Sequence, residues 1–186
     1  GHPKLKTLCG LTHEETQLNY QGKRLGPGDA MLLAPELQVM PSLTKISLAK
    51  NNLGSEGAKA LAPAIRDSTS LTSVNLLRTG LDTKAASVLL KVKEEKPTLR
   101  TLCGLTHAET KLNYSGQDLW PADAMLLAPE ISVMASLTSI NLSDNLIRSE
   151  GAKALAPALR DNASLTELRC FAAGTVWWRV DPPKGW

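Results

Sequence analysis

The side chains in this chain best suited to chemistry occur in duplicate. Cys9 and His13 recur as Cys103 and His107, and a C-x-x-x-H spacing is that of half a zinc site. Each histidine also has a glutamate two residues on, Glu15 or Glu109, the pairing expected of a general base. Neither reading survives elementary geometry. If the two pairs sit on separate copies of one unit, three or more strands apart, equivalent atoms are separated by roughly 15 Å at a strand spacing of about 4.8 Å. Zinc ligands sit about 2.0 to 2.3 Å from their ion. No nucleophile accompanies either histidine, so both read as polar loop groups. The same separation puts Cys9, Cys103 and Cys170 beyond the Cα distance of about 4.4 to 6.8 Å that a disulfide tolerates. Three thiols point to a reducing compartment, hence a cytoplasmic location. Gly22 to Gly28, GKRLGPG, lacks the GK[ST] ending of a phosphate loop and reads as a turn. Lys84, Lys91, Lys93, Lys96 and Arg100 are interleaved with Asp82, Glu94 and Glu95, the pattern of a solvated helix face rather than a nucleic-acid stripe. The expectation is a chain with no catalytic residue, no metal and no cofactor, taking neither nucleic acid, membrane nor small-molecule substrate.

The rest of the sequence concerns scaffolding. In 186 residues, 21 Lys and Arg stand against 18 Asp and Glu, and 42% of positions are hydrophobic. That is a globular composition of one ordinary domain's length. No run approaches the roughly 18 apolar residues of a membrane helix. Aromatics make up only 4%, and Phe171, Trp177, Trp178 and Trp186 all fall in the last sixteen residues. A core of Leu, Ala, Val and Ile with so few rings suits many small, similar layers.

Those layers are written out twice. Thr7 to Arg66 aligns with Thr101 to Arg160 at an offset of about 94, with roughly two-thirds of positions identical. Inside each copy Leu43, Leu71 and Leu99, and again Leu137 and Leu165, are spaced by 28. Each opens the pattern LxxLxLxxNxL: Leu43, Ile46, Leu48, Asn51, Leu53, then Leu71, Val74, Leu76, Thr79, Leu81, then Leu137, Ile140, Leu142, Asn145, Ile147. The alternation around Ser47 predicts a short strand with two apolar side chains inward. Asn at the turn supplies a side chain for backbone groups left unpaired as the chain bends away, and Thr79 does so in part. SEGAKALAPAIRD and SEGAKALAPALRD follow, with Ser55 and Glu56 placed for a helix start and Gly57, Leu61 and Ile65 forming a stripe toward the strand layer.

These motifs resemble leucine-rich repeats of the ribonuclease-inhibitor-like subtype, over about residues 15 to 170. The resemblance implies an α/β fold, a right-handed leucine-rich-repeat solenoid with parallel strands on the concave face and helices on the convex face. It also implies a binding role, most often toward a protein.

Several features depart from the pattern. In the first rung of each copy Lys23 and Gln117 occupy the Asn position, so a tight Asn-type turn is not expected there. The offset of 94 exceeds three beats of 28 by ten residues, around Leu99 to Ala108, too few for a crossover helix. That segment is either an interrupted strand start or one arm of a hairpin, and it should break the solenoid. Pro35, Pro63, Pro129 and Pro157 share one helix frame, which calls for short or kinked helices. The organisation read from this is a cloning remnant at 1–2, a first repeat block at 3–96, a second at 97–170, and at 171–186 an aromatic cap or a foreign tail. The opening dipeptide suggests a piece of a longer array.

The expected function is a non-enzymatic interaction module that binds a protein partner through its concave strands and loops. The contact residues expected are Lys45, Ser47, Lys50, Asn75 and Arg78 in the first block, and Asn141, Asp144, Glu167 and Arg169 in the second. Arg78 and Arg169 are the strongest anchors by residue type. Two alternatives stand beside it: a GTPase-activating type of regulator, implied by similar repeats in Ran GTPase-activating proteins, and a structural or recombinant repeat fragment with no partner of its own.

Overall fold

The computed structural model describes residues 9–170 and the backbone of residues 178–179. The aromatic cap expected from Phe171 onward therefore lies, in its side chains, outside the described residues. The chain divides into two units, residues 1–104 and 105–186. In the first, β1 (Gln17–Asn19), α1 (Pro27–Gln38), β2 (Lys45–Ser47), α2 (Gly54–Asp67), β3 (Ser73–Asn75) and α3 (Thr83–Glu95) alternate. In the second the order is β4 (Lys111–Asn113), α4 (Pro121–Val133), β5 (Ser139–Asn141), α5 (Arg148–Asp161), β6 (Glu167–Arg169) and β7 (Trp178–Arg179).

Strands β1, β2 and β3 form one parallel sheet, with Leu18 opposite Ile46 and Ile46 opposite Val74. Strands β4, β5 and β6 form a second, with Leu112 opposite Ile140 and Ile140 opposite Leu168, and β7 adds an antiparallel edge. Alternation makes each strand half apolar. Ile46, Leu48, Val74 and Leu76 are buried to 2% exposure or less, and Leu43, Leu53, Leu61, Ile65, Leu71 and Leu89 complete the layers at 0%. Each such side chain stabilises the fold by about 1.5–3 kcal/mol relative to exposure.

The repeated turn geometry rests on asparagine. Asn51 Nδ2 donates to the carbonyls of Leu48 (2.7 Å) and Tyr20 (2.8 Å), while its Oδ1 accepts from the Leu25 amide (3.0 Å). Asn145 repeats this with Leu142, Tyr114 and Leu119. The first rung of each copy lacks its own Asn, yet its turn is tight, because the next rung's Asn reaches back to hold it. Thr79 Oγ1 supplies only the local bond, to Leu76 O.

The ten extra residues begin as a strand. The Arg100 amide donates to Thr72 O and the Val74 amide to Thr101 O, continuing the 28-residue ladder. The Leu76 amide then takes Leu102 O, one residue short of that register, and the segment leaves the sheet at Gly104. Of the two alternatives, an interrupted strand start is the one observed.

The helices differ from expectation in three ways. Each runs unbroken through its proline, for 12 to 14 residues. Pro35, Pro63 and Pro157 are exposed and Pro129 half-buried, so water can reach this flank of the helix, where the proline leaves a carbonyl unpaired. Ser55 and Ser149 do not cap their helices, which enter through Leu53 and Ile147 without a side-chain cap; the Ser55 hydroxyl instead supports Asp82, the N-cap of α3. Gly57 faces the neighbouring helix α1 rather than the strands. A Cβ there would meet Ala30 Cβ at 3.1 Å, and at the equivalent Gly151 it would meet Ala124 Cβ at 2.9 Å.

Lys96, assigned to a solvated face by its charged neighbours, is only 7% exposed. Its Nζ donates to Ile65 O at 2.8 Å and also to Ser68 O. These carbonyls close α2, where a cation suits the negative end of the helix dipole. Asn162 makes the same pair of bonds in the second unit, to Ile131 O and Met134 O. Removing this cap by Lys96→Ala should cost about 1–3 kcal/mol, the range for orphaned buried carbonyls, whereas Lys96→Asn should retain most of it; urea melts compare them. Burial pushes the Lys96 ammonium below its ordinary value of 10.5. The unfolded chain then holds that proton to higher pH than the folded one. Stability of the native protein relative to Lys96→Asn should therefore rise with pH in the window beneath 10.5 and fall back as pH drops through the lowered value.

Candidate functional site

The candidate surface is the outward side of the strands. Alternation that sends Ile46 and Val74 inward sends their neighbours out. In the first unit the outward positions stack in two columns, Gln17–Lys45–Ser73 and Asn19–Ser47–Asn75. The second unit has Lys111–Ser139–Glu167 and Asn113–Asn141–Arg169. A third column follows at the strand ends. The amides of Gly22 and Lys50 donate to Ala49 O and Leu77 O, each 3.0 Å, which places Gly22, Lys50 and Arg78 on successive rungs. Lys50, Arg78 and Asp144 all hold left-handed backbone, at φ of 58°, 60° and 55°, as do Gly22 and Gly116.

The nine residues expected at the site thus fall on the strand face of their units, but in different chemical states. Lys45 and Lys50 are exposed and Arg78 half-buried. Asn75 and Asn141 are committed to their own turns: their Oδ1 atoms accept from the amides of Leu77 (3.1 Å) and Ser143 (3.0 Å). Asn19 and Asn113 do the same, with Gln21 and Ser115. Ser47 is the serine in this asparagine column, and its Oγ is buried with no hydrogen-bond partner among the described residues. Arg169 spends its guanidinium on Glu167, with Nη2 at 3.0 Å and Nε at 3.2 Å from Oε1. The Ser139 hydroxyl holds the other oxygen at 2.9 Å. Together Ser139 and then Arg169 hold the Glu167 carboxyl below the usual range. Arg169 would have to leave this pair to anchor a partner.

Residues of the first rungs join the face as well. Gln17 and Asn19 in one unit, and Lys111 and Asn113 in the other, lie in rungs that lack the Asn signature. The signal was LNY at 18–20 and 112–114, where the apolar residue at the strand centre stands between two outward ones.

The duplicated histidines have another task. His13 Nε2 lies 2.5 Å from Glu36 Oε2, and His107 Nε2 pairs likewise with Glu130. Glu36 and Glu130 are 5% and 0% exposed. Each pair ties the loop before the first strand to the first helix of its unit. The nearer glutamates, Glu15 and Glu109, bind the amides of Thr12 and Thr106 instead, both at 2.9 Å. Among the described residues no group of His, Cys, Asp and Glu could hold a metal ion, and no helix is long and apolar enough to cross a membrane.

Residues 39–62 and 133–156 each match the model of the family described as Leucine Rich repeat. Both stretches run from the end of one helix, through β2 or β5 and the Asn turn, into the next helix. With the parallel sheets and alternating helices, these matches fit an α/β fold of leucine-rich repeats, whose domains generally mediate protein–protein interaction. No curated protein sequence matches the chain. Among solved structures it is similar to the Leiomodin-1 Actin-Binding Site 2 (ABS2), at 12% identity and a TM-score of 0.44, over 88% of this chain and 74% of that one.

Proposed function

We propose that this chain is a protein-interaction module that engages its partner through the strand face. Lys45, Ser47, Lys50, Asn75 and Arg78 contribute in the first unit, and Asn141, Asp144, Glu167 and Arg169 in the second. What carries this reading is the pair of in-register columns of outward polar side chains in each unit. Their spacing is fixed by the backbone ladder beneath, so little order need be gained on binding. Asn75 and Asn141 have surrendered their oxygens to the turns, and serve by keeping the face rigid and presenting their amide nitrogens.

Affinity capture with the full chain, followed by mass spectrometry, identifies the partner. Ser73→Tyr, on the last strand of the first sheet, and Ser139→Tyr, on an inner strand of the second, should then weaken capture about tenfold or more by blocking close approach. Lys59→Ala and Lys153→Ala, exposed on helices α2 and α5, should leave it unchanged. Loss of capture in the helix variants alone would overturn the reading.

A further inference from the structure

The two units share a scaffold but not a charge. In the first, the three rungs of the strand face, residues 15–25, 43–53 and 71–81, carry Lys23, Arg24, Lys45, Lys50 and Arg78 against one acidic residue, Glu15, whose carboxylate accepts from the Thr12 amide. The corresponding residues of the second unit carry Lys111 and Arg169 against Glu109, Asp118, Asp144 and Glu167. Two of the differences are reversals at equivalent positions. Lys50 becomes Asp144 and Arg24 becomes Asp118, on left-handed backbone throughout, with φ of 58° and 55° for the first pair and 60° and 52° for the second.

These cations sit where neither packing nor backbone preference asks for them. Left-handed backbone disfavours a long side chain, and Gly or Asp bears it best. Gly22 and Gly116 occupy the Lys50 column in the first rungs. Lys50 and Arg78 are neighbours on adjacent rungs, joined by the Lys50 amide to Leu77 O, about 5 Å apart at the backbone. Lys23, Arg24, Lys45 and Lys50 enter no ion pair among the described residues. Strained positions and unneutralised charge gathered on one face are the mark of a surface completed by something else.

We propose that the strand face of the first unit recognises an acidic, extended segment of a protein partner, and that the second unit does not share this specificity. The inference rests on the strand-face reading above and narrows it. Carboxylates laid across three rungs, a span of about 10 Å, would meet Lys50 at the turn and reach Lys45 on the strand. A nucleic acid is the poorer fit. Such surfaces call for stacking aromatics, whereas the three cationic rungs hold one ring, the half-buried Tyr20.

The test is fluorescence anisotropy of a labelled Glu/Asp-rich peptide about ten residues long, titrated with the full chain. Lys50→Asp should weaken binding about fivefold, and the Arg24→Asp/Lys50→Asp double variant about twentyfold or more, given coupling energies near 1 kcal/mol per contact. Both substitutions install what the second unit already carries at the same φ, and equal melting temperatures confirm that the variants fold. The reverse variant, Asp118→Arg/Asp144→Lys, should add a second site. Peptide binding indifferent to these reversals overturns the proposal, as does a single-stranded oligonucleotide of equal charge that binds as tightly as the peptide. If the reversals are silent while Ser73→Tyr still abolishes capture of the natural partner, the acidic specificity fails and the strand-face reading stands. If Ser73→Tyr and Ser139→Tyr are silent as well, both fail.

Discussion

Asn51→Ala should lower the stability of the protein by about 2–4 kcal/mol, at the upper end of what a single polar side chain contributes, because each buried group it orphans costs about 1–3 kcal/mol. Asn51 is 9% exposed and satisfies carbonyls on two rungs, Leu48 O and Tyr20 O, together with the Leu25 amide. Alanine leaves all three unpaired, at a place where the chain closes over and water has little access. Asn51→Thr should cost less. Thr79, in the same frame one rung on, shows that a hydroxyl keeps the local bond, from its Oγ1 to Leu76 O at 2.6 Å. Threonine at 51 would keep Leu48 O and lose the contacts with the preceding rung. Urea melts followed by circular dichroism should therefore rank the variants wild type, Thr, Ala. If Thr and Ala proved equally damaging, the contact with Leu48 O would be worth nothing and the accounting given for Thr79 would be wrong. Because the first rung has Lys23 instead of Asn, fraying in Asn51→Ala should begin at β1, where hydrogen exchange detects it.

The same residue marks how far the sequence could be read. The strands were legible because burial on one face imposes a period of two, and Ile46 and Leu48 obey it on either side of Ser47. The turn was legible because few side chains can satisfy a bending backbone. What was hidden is the partner of each group in the adjacent rung. Asn51 reaches back 31 residues to Tyr20, and Lys96 reaches back 31 and 28 residues to Ile65 and Ser68. Lys96 looked solvated because its neighbours in sequence are charged, yet the carbonyls that hold it belong to the helix of another rung. The histidines misled in the same way. Glu15 and Glu109 stand two residues away, but the loop turns through left-handed backbone at His13 and His107, at φ of 66° and 64°, and the rings meet Glu36 and Glu130, 23 residues on.

At the site the pattern located the outward positions and the residue types on them, because alternation decides which side chains leave the core. It was silent on which of those side chains are already engaged. By residue type Arg169 is an anchor, and only the geometry binds it to Glu167. The charge difference between the units was present in the sequence all along, at Lys50 against Asp144. It gains meaning only once both are known to lie on the same turn with the same backbone angles.

Backbone angle alone and backbone angle with crowding can be separated at one duplicated glycine. Gly10 and Gly104 are equivalent in the two copies and have φ of 69° and 71°, so alanine at either pays the left-handed penalty of about 1–2 kcal/mol. Their surroundings differ. A Cβ on Gly10 meets nothing within 4 Å, whereas one on Gly104 meets Cβ and Nδ2 of Asn75, both at 2.9 Å. Asn75 cannot easily give way, since its Oδ1 accepts from the Leu77 amide and its backbone carbonyl from Leu48. Overpacking of this kind adds about 1–3 kcal/mol. Gly104→Ala should therefore destabilise by about 2–5 kcal/mol, a loss that would halve the stability of a marginal domain, and Gly10→Ala by no more than about 2 kcal/mol. Thermal melts of the two variants side by side measure the difference directly. Equal shifts would mean that Asn75 moves aside without cost, and that the exit of the chain from the first sheet at Gly104 is set by backbone angle alone.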